Sequence, residues 1–348
     1  MPTRHRLAAD TRTAALYEWI DASLATRGER RLREQPLPAA ASFRRFTRIE
    51  TTAGTCMAVD APPERENNAQ FVRLSAHFRA RGIPVPEVLA ADLAQGFMLV
   101  TDFGDRHLMD VYGTPDEGPA LEAALEALVR IQVSPPTEIV PPYTKERLAD
   151  EFELFPTWFV EGLLGIEPDA STRTLLDGTR ERLVAAMAAQ PTVCVHRDFH
   201  SQNLMWRADA TIGIVDFQDA LWGPLCYDLA SLLRDCYHRF SEADIAHWRA
   251  RYLVLARDAG VPVTVDPARF ASSLDLTALQ RQIKAVGIFA RLDLRDGRDR
   301  HLRDIPPVLA HIADTAARYE PLAPFSRWVR EVAEPIAAAR LADRQRRR

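Results

Sequence analysis

One short stretch of this chain differs from everything around it. Two brief apolar runs, Leu204-Met205-Trp206 and Ile212-Gly213-Ile214-Val215, are joined by Arg207-Ala208-Asp209-Ala210 and interrupt a long region of helical periodicity. Apolar runs that short, separated by a polar linker, predict a β-hairpin with strands over 204–206 and 211–215. Asp198 and Asn203 lie on the segment entering it, and Asp216 lies at its exit. A hairpin returns the chain to its starting point. The spacing therefore predicts that two carboxylates and one amide converge at its mouth.

The remaining pattern sets the architecture. A helix is expected over 10–27, capped by Asp10, with Leu16, Trp19, Ile20 and Leu24 at helical spacing and Gly28 as its stop. Short alternating segments predict strands over 41–60, and a helix follows over 65–80. A short strand is expected at Val85–Leu89. Another, Phe97-Met98-Leu99-Val100, ends at Thr101-Asp102. Beyond that point helical periodicity dominates, over 116–132, 144–164, 170–189, 227–257, 274–292 and 303–319. The expected class is α+β. A small mixed α/β region would occupy residues 1–101, and a larger, mainly helical region residues 102–348.

Bulk properties exclude several functions. A net charge of −4 over 348 residues argues against a general nucleic-acid binder. The four cysteines form no C-x-x-C pair, so reduced structural thiols are expected. No apolar run approaches the roughly 20 residues of a membrane helix, and the N-terminus lacks the apolar core of a signal peptide. The expectation is a soluble cytoplasmic protein. Of the 44 basic residues, 42 are arginine, and Lys145 and Lys284 are the two lysines.

The trio at the hairpin suits phosphoryl transfer. That reaction asks the protein for a held metal and an oriented nucleophile more than for covalent chemistry. A carboxylate and an amide oxygen are hard ligands of the kind magnesium takes. A second carboxylate can accept the proton of an acceptor hydroxyl. Asp198 to Asn203 has the spacing of the catalytic loop H-R-D-x-x-x-x-N, here His196-Arg197-Asp198-Phe199-His200-Ser201-Gln202-Asn203, and Asp216-Phe217 follows at a strand exit.

With Gly223-Pro224-Leu225-Cys226-Tyr227-Asp228-Leu229-Ala230, these residues resemble the aminoglycoside phosphotransferase superfamily. That resemblance implies a protein-kinase-like two-lobed fold, with ATP and magnesium as cofactors. Ser42-Phe43-Arg44-Arg45-Phe46, Asp60-Ala61-Pro62-Pro63-Glu64, Asp92-Leu93-Ala94-Gln95-Gly96-Phe97 and Lys284–Leu292 are similar to one branch, the bacterial cell-wall amino-sugar kinases. The branch implies transfer to the anomeric hydroxyl of N-acetylmuramate or N-acetylglucosamine in peptidoglycan recycling. By resemblance, Asp198 would be the catalytic base, Asn203 and Asp216 the magnesium ligands, and Asp228 and His196 structural braces. Nucleotide contacts would come from Ser42, Phe43, Arg44 and Arg45, and from the backbone near Leu99, Val100 and Thr101. Candidates for the acceptor site are His200, Gln218, Glu151, Trp158 and Arg291, with Phe159 beside them. Kinases of aminoglycosides, choline, homoserine or macrolides, and a nucleotide-binding scaffold without turnover, stay open as alternatives.

Two departures stand out. Asp102-Phe103-Gly104 spells the kinase metal motif but precedes the catalytic loop, and reads as the linker leaving a hinge strand. The strand lysine that holds nucleotide phosphates is missing. Its position falls at or near Asp60, and the first 144 residues contain no lysine at all. Arg44, Arg45 and Arg48 cluster where a glycine-rich loop would lie, and Arg44 or Arg45 is the expected replacement, since guanidinium can grip phosphate through two parallel hydrogen bonds.

Overall fold

The structure is a computed structural model that describes residues 2–38, 43–135, 137–263 and 266–346. It forms two compact units, residues 1–127 with 202–218 and residues 128–201 with 219–348. The hairpin thus belongs to the unit built mainly from the N-terminal third.

In the first unit a five-stranded antiparallel sheet has the order β1-β2-β3-β5-β4, with β1 at Arg31–Pro36, β2 at Arg45–Thr51, β3 at Gly54–Asp60, β4 at Val88–Asp92 and β5 at Phe97–Thr101. Helix α1, Pro2–Ala25, packs Leu16, Ile20 and Leu24 onto Ile49, Cys56, Ala58, Phe97 and Leu99 of this sheet. It begins well before Asp10, which is therefore interior to the helix and not its cap. Proline suits a first helical turn because the N–H it lacks would have no partner there. Helix α2, Asn68–Arg79, is capped by Asn67, whose side chain accepts the N–H of Gln70 at 3.1 Å.

The hairpin strands, β7 at Leu204–Trp206 and β8 at Ile212–Ile214, pair as their pattern predicts. Within this unit the hairpin is fastened at three points. Ile214 N–H donates to Pro84 O at 2.8 Å and Trp206 N–H to Arg106 O at 2.8 Å. Gly213 lies so close to the Phe103 ring that a Cβ there would fall 2.5 Å from it. Asp102 follows β5 directly, and its carboxylate accepts Arg48 Nε–H at 2.6 Å. The decoy triplet is thus a structural strap beneath the hairpin.

The second unit is helical apart from one pair of strands. Its helices are the end of α3 (Glu117–Gln132), α4 (Lys145–Phe152), a π-helical stretch Phe155–Leu163, α5 (Ala170–Ala188), α6 (Tyr227–Leu233), α7 (Glu242–Asp258), α8 (Pro267–Asp296), α9 (Ile305–Ala316), α10 (Ala323–Trp328) and α11 (Glu334–Arg346). Strand β6, Thr192–Val195, pairs with β9, Leu221–Pro224. The core gathers on α8, where Leu279, Ile283, Val286 and Phe289 meet Phe152, Phe155, Phe159 and Leu309.

Two expected helices are broken. The stretch 227–257 divides at Arg234–Phe240, because the Asp235 carboxylate draws the Tyr237 N–H at 3.1 Å and Ser241 caps a new helix. The stretch 144–164 divides after Phe152, where the backbone widens into the π-helical turns. All four cysteines are free thiols. Among the described residues, no helix is long and apolar enough to cross a membrane.

Gly287 of α8 packs flush on the Leu154–Phe155 backbone, so an added Cβ would lie 2.4 Å from Leu154 C. Backbone cannot swing aside, and Gly287→Ala is expected to cost roughly 1–3 kcal/mol by urea denaturation. His311 is held neutral, since burial and then the Arg239 and Arg234 guanidiniums push its pKa down to about 4. An unfolded histidine takes a proton below 6.5, whereas the native one stays neutral down to about 4. Stability is therefore lost as pH falls from about 6.5 toward 4. The urea midpoint of His311→Gln should fall less than that of the wild type between pH 7 and 5.

Candidate active site

Strand β6 delivers the chain to His196 and Arg197, and Arg197 adopts a left-handed backbone with φ 82°. A side-chain-bearing residue in that region costs on the order of 1–3 kcal/mol unless its surroundings fix it. Two carboxylates do so. Asp228, fully buried in the first turn of α6, accepts His196 N–H at 2.6 Å and Arg197 N–H at 2.9 Å. Burial pushes its carboxyl up to about 7, against the opposing pull of those two N–H groups and of Arg281. Glu151 of α4 holds the Arg197 side chain at 2.6 Å.

Glu151 is the hub of a buried charge cluster. Its second oxygen is 2.9 Å from Lys284 Nζ of α8, and it also accepts the Tyr143 hydroxyl. Lys284 Nζ donates in turn to the Tyr227 hydroxyl at 3.3 Å. Both Glu151 oxygens are thus taken up inside the protein, which removes Glu151 from the set available to an acceptor. Burial works against the Glu151 charge, but Lys284 and Arg197 outweigh it and hold the carboxyl below its ordinary value.

Asp198 follows, half-buried, with its N–H donated to His196 Nδ1 at 3.2 Å. Burial alone would raise its carboxyl. Lys284, then His200, Arg197 and Arg281, reverse that and keep it below the ordinary carboxylate range. It is therefore an ionised acceptor at neutral pH. Further along the loop Asp235, 1% exposed, takes the Ser201 N–H at 3.0 Å and the Ser201 hydroxyl. The second unit breaks off at Ser201 and resumes at Asp219.

Asn203 and Asp216 belong to the first unit, at the open end of the hairpin. Val215 N–H donates to Asn203 O at 3.0 Å, which closes the ladder beside them. Asp216 also has a left-handed backbone, φ 63°, and its side chain is half exposed. Gln218 donates its amide N–H to Asp216 at 2.7 Å, so this acceptor-site candidate instead braces a neighbouring carboxylate. An amide oxygen and an accessible carboxylate at one hairpin mouth fit a hard divalent cation that takes its remaining ligands from phosphate and water. Among the described residues, no cluster of three or more His, Cys, Asp or Glu could hold a metal.

The other expected residues distribute unevenly. Ser42 lies outside the described residues. Phe43 is exposed, Arg44 is buried, and Arg45 is exposed on β2. Arg48 is committed to Asp102, to Asp105 at 2.6 Å and to Gly104 O at 3.0 Å. Asp60, where a phosphate-binding lysine would stand, accepts Arg12 Nε–H at 2.8 Å and so latches α1 to β3. Leu99 and Val100 pair with β3 on one edge and β4 on the other, so their backbone groups belong to the ladder. Thr101, the last residue of β5, is where the chain leaves the sheet. His200 is half-buried, with its ring 5.5 Å from Tyr237. Trp158 packs on the α8 core, and Arg291 lies half-buried two turns beyond Lys284.

A model of the phosphotransferase enzyme family matches residues 33–264. The chain belongs to that family. It is 34% identical to the N-acetylmuramate/N-acetylglucosamine kinase of Pseudomonas putida, over 84% of this chain and 86% of that one. The protein of the same name from Neisseria meningitidis is 36% identical, over 82% and 86% of the two chains. Among solved structures, a choline/ethanolamine kinase family protein from Mesorhizobium loti superposes with a TM-score of 0.57 at 15% identity, covering 91% of this chain and 99% of that one. The fold is therefore that of the protein-kinase-like phosphotransferases, and the chain is an enzyme that phosphorylates a hydroxyl group. Sequence reasoning had missed Asp235 and the cluster around Glu151, whose partners lie far apart in the chain.

Removing one charge from that cluster should be costly. Glu151→Gln leaves Arg197 and Lys284 buried without their anion, a change worth about 3–5 kcal/mol in comparable pairs. Adding Lys284→Met should restore part of the loss, which a double-mutant cycle in urea would measure.

Proposed function

We propose that this enzyme transfers the γ-phosphoryl group of ATP, as its magnesium complex, to the anomeric hydroxyl of N-acetylmuramate or N-acetylglucosamine. The observation that carries this reading is the similarity, over more than four-fifths of the chain, to enzymes named for those two sugars. We read it as a monomeric cytoplasmic enzyme serving cell-wall sugar recovery.

Asp198 takes the role of base. Its ionised carboxylate accepts a hydrogen bond from the acceptor hydroxyl and orients the oxygen for in-line attack. The new bond joins the sugar oxygen to the γ-phosphorus, the bond from that phosphorus to the ADP oxygen breaks, and the hydroxyl proton passes to Asp198 and then to water. Asn203 and Asp216 would hold magnesium, which supplies charge neutralisation on the phosphates. Phe43, Arg44 and Arg45 lie before and at the start of β2, where they would meet the phosphates. The adenine edge would meet the Thr101 carbonyl and the backbone just beyond it, since Leu99 and Val100 are engaged in the sheet and the Thr101 N–H donates to Glu87 O at 3.0 Å. His200 and Arg291 are the acceptor contacts we favour, with Arg291 suited to the carboxylate of the muramate lactyl group. Trp158 is a further candidate, as an apolar face for the sugar ring.

A panel of hydroxyl acceptors assayed by ADP release, with ATP and magnesium, tests the substrate. Turnover should appear with the two amino sugars and not with choline, homoserine or aminoglycosides. Phosphorus NMR should place the phosphate on the anomeric oxygen. Asp198→Asn should lower kcat by roughly 10²–10⁴-fold and leave the KM for ATP within a few-fold of the wild type. ATP binding without turnover of any acceptor would sink the enzymatic reading.

A further inference from the structure

Arg44 is a guanidinium in an unusual position. It is 6% exposed, although it stands just before β2, beside segments that a nucleotide would contact. Three groups surround it within the first unit. Its Nη2 is 2.9 Å from Glu66 Oε2, and its Nη1 is 3.9 Å from Asp216 Oδ1. The guanidinium carbon lies 5.8 Å above the Phe71 ring of α2, a face that attracts cations. Glu66 does more than pair with it. The other Glu66 oxygen accepts Phe43 N–H at 3.0 Å, so one carboxylate fixes both the arginine and the peptide ahead of it. The Glu66 side chain is itself mostly buried, at 11% exposure.

The neighbouring arginines are differently disposed. Arg48 is spent on the Asp102 strap, and Arg45 points outward from β2. A contact of 3.9 Å is an ion-pair distance but too long for a hydrogen bond. Arg44 therefore faces Asp216 electrostatically while Glu66 holds it from behind. A phosphate oxygen arriving beside Asp216 would meet a cation whose rotamer is already fixed, and the planar fork loses little freedom on gripping it.

We propose that Arg44 grips the nucleotide phosphates and that Glu66 is its positioning residue, so that an arginine–glutamate pair outside the β3 strand does the work of the absent strand lysine. The proposal rests on the reading of the chain as an ATP-dependent kinase, and deepens it by naming the residue that balances the phosphate charge. It leaves Asp60 free for its link to Arg12, and it gives Asp216 a cationic neighbour.

The test is calorimetric binding of ATP, ADP and adenosine to the full chain in EDTA, with no acceptor and no metal. Wild type should bind ATP and ADP more tightly than adenosine. Arg44→Ala should weaken ATP and ADP by roughly tenfold or more and leave adenosine within about twofold. Glu66→Gln should show the same selectivity with a smaller loss, and Arg44→Lys should recover part of the ATP affinity as a point charge. Unchanged ATP affinity in Arg44→Ala would overturn the proposal. So would equal losses for ATP and adenosine, which would report a damaged fold in place of a missing grip. Wild type that binds no nucleotide even when magnesium is restored would overturn the ATP reading itself, an outcome separate from either of these.

Discussion

Asp228 holds the segment that follows β6 in shape. Its carboxylate, buried in the first turn of α6, takes the N–H groups of His196 and Arg197 just where the chain leaves β6 and turns left-handed. Those two peptides cannot find ladder partners, because the strand has ended, and leaving them buried and unpaired would cost about 1–3 kcal/mol each. One acid satisfies both. The placement of Asp198 follows from that bend, and the Ser201 link to Asp235 repeats the device a few residues later. Both acids flank the same helix, α6, so a single short helix braces the loop at two points.

Charge in the second unit is arranged around this loop. Glu151 joins Arg197 and Lys284, and that pair of cations has one carboxylate between them. The surplus positive charge is felt at Asp198 and keeps it ionised despite its burial. The first unit has a smaller version of the same economy. Arg12 neutralises Asp60, Arg48 neutralises Asp102, and Glu66 steadies Arg44. Arginine serves each of these sites because its planar fork can satisfy two oxygens at once.

The hairpin was legible in the sequence because its signal is local: apolar runs, a polar linker and acids at fixed offsets. The sheet strands β3 and β5 were legible for the same reason. Strand β1, Arg31–Pro36, was not, since four of its six residues are polar, five are exposed and no alternation marks it. Strand β9, Leu221–Pro224, is short and contains Gly223 and Pro224. It exists because β6 lies beside it. The break at 234–240 depends on the Asp235 carboxylate, which takes the Tyr237 N–H while it holds Ser201, and such contacts are invisible to periodicity. Leu99 and Val100 carry no local sign that β4 pairs along their second edge. Glu151 looked like a substrate ligand because a lone acid in a helix carries no sign of the two cations that claim it.

The scarcity of lysine has a practical side. Lys284 is buried beneath Glu151 and Tyr227, and Lys145 sits exposed at the start of α4. Reagents that find kinases by acylating an amine next to the bound nucleotide would meet none in the first 144 residues. A screen with such probes would have only Lys145 and Lys284 by which to report this enzyme. Guanidine-directed dicarbonyl reagents are the chemistry that the arginines of that segment would answer to.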